Sequence, residues 1–135
     1  MGMKEAVISA FNNYVNFDGR ARRSEYWYFV LFNMLVSAVF AVLISFCREG
    51  SLGIRMFTGL SGLYSLAVFL PGLALCWRRL HDIGKSGAYY FIAFIPLVGP
   101  ILVLVWLCRE GDAGDNAYGP DPKAAERYED RYSNY

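Results

Sequence analysis

Charge is scarce in this chain of 135 residues, and it is nearly balanced. Thirteen Lys and Arg residues stand against twelve Asp and Glu residues, so the net charge is +1. A nucleic-acid-binding domain shows a clear basic excess, which this sequence lacks. The apolar content of 56% also excludes a disordered chain, because such chains are poor in apolar residues.

Histidine and cysteine are too few for an evident metal centre. His81 is the only histidine, and no cysteine lies near it at the spacing of zinc ligands. Gly84, Lys85 and Ser86 are similar to the end of a phosphate-binding loop, but Arg79 stands where that motif requires a glycine. We therefore predict no cofactor and no metal.

Charge is absent from three long windows of the sequence, which contain no Asp, Glu, Lys, Arg or His. These windows are residues 26–46, 56–77 and 88–107, each at least 20 residues long. A helix needs about 20 apolar residues to cross a hydrocarbon core of about 30 Å. The sequence predicts an all-α integral membrane protein with three transmembrane helices in one membrane domain, residues 1–122, followed by a polar tail, residues 123–135.

A short amphipathic helix is predicted before the first window, over residues 4–15. Ala6, Ala10, Phe11 and Tyr14 recur there at helical spacing. Such a helix either lies in the membrane interface or packs against the bundle.

The third window has two possible structures. Pro96, Gly99 and Pro100 interrupt its middle, and an interior proline removes a helical hydrogen bond. The window is therefore either a kinked span or a re-entrant hairpin of two half-helices, and a hairpin needs protein or water to shield its broken backbone.

Basic residues predict a cytoplasmic N-terminus, since Lys and Arg concentrate on that side of a membrane. The segment before the first window and the loop after the second carry seven cations together, the first loop carries two and the residues after the third window carry four. If the third window crosses fully, seven cations lie on the cytoplasmic side and six on the other side. If it is a hairpin, eleven lie on the cytoplasmic side and two on the other, which is a much cleaner bias.

Most of the polar residues that are candidates for ligand binding lie near these membrane ends. His81 and Asp82 are adjacent in the predicted loop after the second window, residues 78–87. Adjacent side chains on a helix do not face each other, so the two make a poor acid–base pair even if the loop is helical. We predict instead a patch that binds anionic lipid or a protein partner. Its members, called here the cationic patch, are Arg20, Arg22, Arg23, Arg78, Arg79, His81, Asp82 and Lys85.

Small and mildly polar residues recur every four positions in the first two windows, which favours close helix packing within or between chains. These predicted packing residues are Asn33, Ser37, Thr58, Gly62 and Ser65. Cys47 and Cys108 end two windows, and a full crossing places both on the outer side. Whether they form a disulfide or pack as small apolar residues stays open at this point.

Three polar segments together resemble one protein family. Residues 17–27 read FDGRARRSEYW, residues 78–87 read RRLHDIGKSG and residues 114–122 read GDNAYGPDP. In this order they are similar to the signatures of the YhaH/YhaI-like family of small bacterial inner-membrane proteins, a domain of unknown function. The resemblance covers about residues 11–122 and implies an inner-membrane location, with no activity to carry over.

The sequence therefore predicts a non-enzymatic inner-membrane protein that associates with membrane lipids or with a membrane protein partner, including a second copy of itself. Two alternatives stay open. One is an oligomeric small channel or transporter subunit, against which the lack of charges inside the windows argues. The other is a membrane enzyme that acts on a lipid head group through His81 and Asp82.

Overall fold

Helices make up the regular structure of the computed structural model, which describes residues 1–133. The all-helical class predicted from the sequence is confirmed. The elements in chain order are α1 (Met3–Asn12), α2 (Arg23–Ser45), α3 (Leu52–Asp82), a 3-10 helix (Gly87–Phe94), α4 (Val98–Cys108) and α5 (Ala124–Tyr132).

The two long helices, α2 and α3, have the length and composition of membrane spans. With 23 and 31 residues, they are about 35 and 46 Å long at 1.5 Å per residue. The Ser51 hydroxyl caps α3 by accepting a hydrogen bond from the Ile54 N–H at 3.3 Å. Gly84 ends the same helix with a φ of +76°, a conformation that favours glycine.

Helix α3 runs five residues beyond the predicted window, to Asp82. The prediction of a loop over residues 78–82 is therefore wrong, and these polar residues lie on the last helical turns. The physical reason is that the polar side chains of these residues form hydrogen bonds and ion pairs with neighbouring segments. The helix therefore continues beyond the apolar window.

The third window does not form one continuous helix, and the hairpin alternative describes the path of its backbone. The 3-10 helix and α4 pack against each other and are joined by a reversal at Leu97, whose φ is +67°. Gly99 lies so close to the Ile92 carbonyl that a side chain there would clash with it. The two ends of the window consequently lie at the same end of the molecule, beside the last turns of α3.

The buried core lies at this same end. α1 packs on α2 and α3, and Ala10, Ala21, Phe29 and Leu75 form one buried cluster. Cys76 of α3 and two residues of α4 form a second cluster under the hairpin. The N-terminal helix thus packs against the bundle, one of the two alternatives left by its sequence.

Most side chains in the rest of α2 and α3 are exposed and not covered by other protein segments. Only 6% of the most apolar stretch of α2 is buried, and 22% of that of α3. Leu35, Val39, Leu63 and Leu66 are each at least half exposed. Apolar helices of this length with so little protein cover are those that a lipid bilayer solvates.

The predicted packing residues divide into two groups. Asn33 joins α2 to α3, because its side-chain oxygen accepts a hydrogen bond of 2.6 Å from the Tyr64 hydroxyl. Ser37 lines an open groove between these helices, while Thr58, Gly62 and Ser65 are exposed. A Cβ at Gly62 would meet no atom of the described chain within 4 Å. For these outward residues, contacts between chains stay a prediction.

The cysteines are free thiols. Cys47 follows the end of α2, whereas the carbonyl of Cys108 accepts a hydrogen bond from Arg23 at the beginning of α2. The two residues are thus separated by the length of α2, about 35 Å. A disulfide between them is excluded, because bridged cysteines need Cα atoms less than about 7 Å apart.

Candidate functional site

Asp82 is the centre of the polar end, by which we mean the loop before α2, the beginning of α2 and the end of α3. Its carboxylate accepts a hydrogen bond of 3.0 Å from Arg20 Nε and one of 2.9 Å from Arg79 Nη1. The side chains of all three residues are no more than 5% exposed. A buried carboxylate held by two guanidinium groups joins the loop before α2 to the end of α3.

Arg20 also binds the segment after the hairpin. Its guanidinium donates to the carbonyl of Asp112 at 2.6 Å and to that of Gly114 at 2.7 Å. Asp112 in turn donates its N–H to the Asp82 carbonyl at 2.7 Å. These bonds hold residues 112–114 against the end of α3.

Arg79 makes the matching contacts with the end of the hairpin. Its Nε donates to the Leu107 carbonyl at 3.3 Å, and its Nη2 contacts the Arg109 carbonyl. Gly111 passes so close to the Asp82 carboxylate that a Cβ there would overlap it. The close approach of this backbone to Asp82 therefore requires glycine at position 111.

A second buried ion pair joins α2 to α3. Arg78 Nη1 lies 3.4 Å from Glu25 Oε1, which also accepts a hydrogen bond of 2.7 Å from the Ser9 hydroxyl of α1. The Arg78 carbonyl accepts the Ala21 N–H at 3.1 Å. With the Asp82 group, this pair forms the arginine–carboxylate cluster, whose members are Arg20, Arg78, Arg79, Glu25 and Asp82.

His81 points away from Asp82, as expected for neighbours on a helix. Its Nδ1 lies 2.9 Å from the Gly19 carbonyl, and its ring stacks on that of Tyr118 with centroids 4.0 Å apart. The Asn116 side chain donates to the His81 carbonyl at 2.9 Å. His81 therefore joins the first and third polar segments and makes no pair with Asp82.

The cationic patch is thus divided by burial. Arg20, Arg78 and Arg79 bind protein groups inside the cluster, whereas Arg22, Arg23 and Lys85 retain some exposure. Lys85 Nζ lies 5.1 and 4.8 Å from the ring centroids of two aromatic residues of the hairpin, Tyr89 and Trp106. Trp106 consequently lies at the polar end, not at the opposite interface where a full crossing would place it.

The C-terminal segment contributes acidic partners that reasoning from the sequence missed. Glu110 accepts from Lys123 at 2.8 Å and lies 3.2 Å from Arg23. The hydrogen bond from Lys123 lowers the pKa of Glu110, and burial opposes it only in part. The cleaner charge bias of a hairpin was the one signal that pointed to this meeting of the tail and the N-terminal segment.

Asp121 is buried at the inner side of the tail. Burial raises its pKa, but hydrogen bonds from the N–H groups of Lys123 and Gly114, together with Arg127, outweigh burial and lower it. Asp121 Oδ2 lies 2.8 Å from Arg127 Nε. The carboxylate thus folds residues 114–127 onto the polar end. Within residues 1–133, the structure contains no cluster of three or more His, Cys, Asp and Glu side chains that fits a metal ion.

Comparison with known proteins gives relatives over most of the chain. The sequence model of the family described as "Protein of unknown function (DUF805)" matches residues 14–120. The inner membrane protein YhaI of Escherichia coli strain K12 is 48% identical over 116 residues, which cover 86% of this chain and 93% of YhaI. The inner membrane protein YhaH of the same strain is 40% identical over 119 residues, 86% of this chain and 94% of YhaH. No solved structure matches the chain.

Proposed function

Because the chain belongs to the DUF805 family of proteins of unknown function, we propose that it is a multi-pass inner-membrane protein with a cytoplasmic polar end. This end associates with anionic lipid or with a membrane protein partner and carries out no catalysis. The inner-membrane location is drawn from YhaI and YhaH, which are named as inner membrane proteins. The bare apolar surfaces of α2 and α3 support it.

The observation that carries this proposal is that three polar segments meet at one end of the molecule. Arg20, Asp82 and Gly114 are in direct hydrogen-bonded contact although they come from three different polar segments. In the proposed topology of two spans and a hairpin, the N-terminal segment, the end of α3 and the tail lie on one side of the membrane. Eleven of the thirteen cations are then on that side, as expected of a cytoplasmic face.

Internal bonding at the polar end favours an association role over catalysis. A general acid or base must reach the proton that it transfers. The Asp82 and Glu25 carboxylates are occupied by arginines and buried, and His81 is held by Gly19 and Tyr118. The cations at the rim, among them the exposed Arg23 and the partly exposed Lys85, are the groups available to an acidic partner or a lipid phosphate.

A topology map tests this proposal. We expect a compartment-sensitive reporter fused after residue 135 to give a cytoplasmic signal, and one inserted at Gly50, between α2 and α3, to give a periplasmic signal. A third reporter, fused after residue 97 at the hairpin reversal, removes the polar contacts of the residues that follow. It shows whether the topology of the preceding segments depends on those contacts. A periplasmic signal from the fusion after residue 135 would overturn the proposed topology.

A further inference from the structure

A groove of about 420 Å³ runs along α2 from the polar end toward the apolar part of the helix. Its upper part is lined by Arg22, Arg23 and Ser24, with Lys123 of the tail beside them. Its lower part is lined by Trp27, Tyr28 and Leu31. Ser24, Trp27, Tyr28 and Leu31 follow one another at helical spacing, so the groove follows one face of α2.

The upper part of the groove has an excess of positive charge. Its three cations have two carboxylate partners: Glu126 lies 2.6 Å from Arg22, and Glu110 is shared by Arg23 and Lys123 at 3.2 and 2.8 Å. Both carboxylates are about half exposed, so water screens these pairs. An additional anion would be attracted by the unbalanced charge.

Two hydrogen-bond donors of the groove residues have no acceptor. Arg22 Nε and the Ser24 hydroxyl are buried, and neither has a hydrogen-bond partner within residues 1–133. Buried donors in proteins are normally paired with protein, water or ligand. Both residues line the groove at the beginning of α2, so one ligand group with several acceptor oxygens would satisfy both donors after their side chains rotate toward it.

The lower part of the groove has the opposite character. Tyr28 and Leu31 are 37% and 43% exposed, on the apolar part of α2. Trp27 is anchored there by its indole N–H, which donates to the Leu107 carbonyl at 3.2 Å. Tryptophan and tyrosine are typical of the head-group level of a membrane. The groove therefore passes from charge through aromatic rings to an apolar surface.

We propose that this groove binds a single anionic phospholipid. The phosphate lies among Arg22, Arg23 and Lys123. Arg22 Nε and the Ser24 hydroxyl are covered by protein in this structure, and both side chains rotate to donate hydrogen bonds to it. An acyl chain lies along Trp27 and Leu31. A phosphate suits this position because its acceptor-only oxygens can receive donors from several directions. This site rests on the membrane placement of the proposed function and identifies its lipid ligand.

Native mass spectrometry of the full chain, purified in detergent and titrated with phosphatidylglycerol or phosphatidylcholine, tests the proposal. We expect one phosphatidylglycerol to bind in preference to phosphatidylcholine. Ser24→Ala removes one donor, and Arg22→Lys keeps the charge but removes Nε. Each should weaken phosphatidylglycerol binding about tenfold, as for the loss of one charge-assisted hydrogen bond. Arg109→Ala removes a cation of the same end outside the groove and should leave binding unchanged.

Two further measurements test whether the bound phosphate belongs to a lipid and whether the apolar part of the groove binds its acyl chain. Glycerol 1-phosphate, which has no acyl chains, should not displace the lipid at equal concentration. Leu31→Trp should weaken phosphatidylglycerol binding, whereas Leu35→Trp should not. Equal binding of glycerol 1-phosphate would overturn the lipid assignment. If Ser24→Ala and Arg22→Lys, with parental thermal stability, bind phosphatidylglycerol like the parent, the groove is not the site. The topology map would be unaffected by that failure, so the two proposals fail separately.

Discussion

Arg20 and Asp82 are 62 residues apart in the chain, and their side chains lie 3.0 Å apart in a buried pair. Arg79 binds the other oxygen of the same carboxylate at 2.9 Å. This pairing connects the loop before α2 with the end of α3, and the remaining donors of both arginines hold the backbone of residues 107–114. The polar end is therefore a structural unit built around one carboxylate.

Replacing Asp82 by Asn should strongly destabilise the protein. The change leaves two buried guanidinium groups without their carboxylate, which costs about 3–5 kcal/mol for a buried pair. The loss is measurable as a lower midpoint of thermal unfolding in detergent. Asp18→Asn is the matched control, because Asp18 is exposed and the same change there should have almost no effect. Equal midpoints for both variants would show that the Asp82 pairs contribute no stability.

Arg79→Lys should destabilise the protein although the charge is retained. A lysine cannot bind Asp82 and the carbonyls of Leu107 and Arg109 together, because it lacks the planar fork of a guanidinium. Loss of two such hydrogen bonds corresponds to about 3 kcal/mol of unfolding free energy. Protease cleavage after α4 should become faster in the variant. Arg48→Lys, an exposed substitution between α2 and α3, serves as the control, and parental behaviour of Arg79→Lys would contradict the role assigned to the guanidinium.

Gly99→Ala should disturb the hairpin, whereas Gly62→Ala should be tolerated. The Cβ of an alanine at position 99 would overlap the Ile92 carbonyl, but at position 62 it would meet open space. Overpacking costs about 1–3 kcal/mol, while Gly→Ala in a helix interior gains about 0.5–1 kcal/mol. Thermal unfolding of both variants in one detergent measures the contrast. Equal stabilities would mean that the hairpin does not require the close contact at Gly99.

Acidification should release the tail from the polar end. Hydrogen bonds from Lys123 to Glu110 and from Arg22 to Glu126 lower the pKa of both carboxyl groups in the folded chain below the ordinary value of 4.5. Their ion pairs therefore stabilise the folded chain above about pH 4.5, and this contribution is lost as the pH falls through the lowered pKa values.

This release can be measured as pepsin cleavage of the tail between pH 5 and pH 3. We expect cleavage within residues 109–133 to accelerate in the parent as the pH falls. The variant Glu110→Gln, Glu126→Gln should be cleaved rapidly throughout and should have a flatter pH dependence. Glu49→Gln, between α2 and α3, is the control and should keep the parental profile. A parental profile in the double variant would show that other groups control the tail.

The sequence alone determined the apolar helices. Residues 26–46 and 56–77 contain no charge, and a segment of that length can satisfy its backbone in a bilayer only as a helix or within a barrel. The three polar segments identified the family, which the comparisons confirmed. Pro96, Gly99 and Pro100 also showed where the third window breaks, although they left both a kinked span and a hairpin open for the chain's path.

The tertiary structure decided where the chain goes after that break and what the arginines do. A break in a helix is a local property, but the direction of the following segment depends on distant partners, here the donors of Arg20 and Arg79 for the carbonyls of residues 107–114. An arginine near a membrane end has the same sequence pattern whether it faces lipid or a buried carboxylate. Only the placement of Asp82 and Glu25 beside Arg20, Arg78 and Arg79 distinguishes these cases, because a buried charge must have a partner nearby.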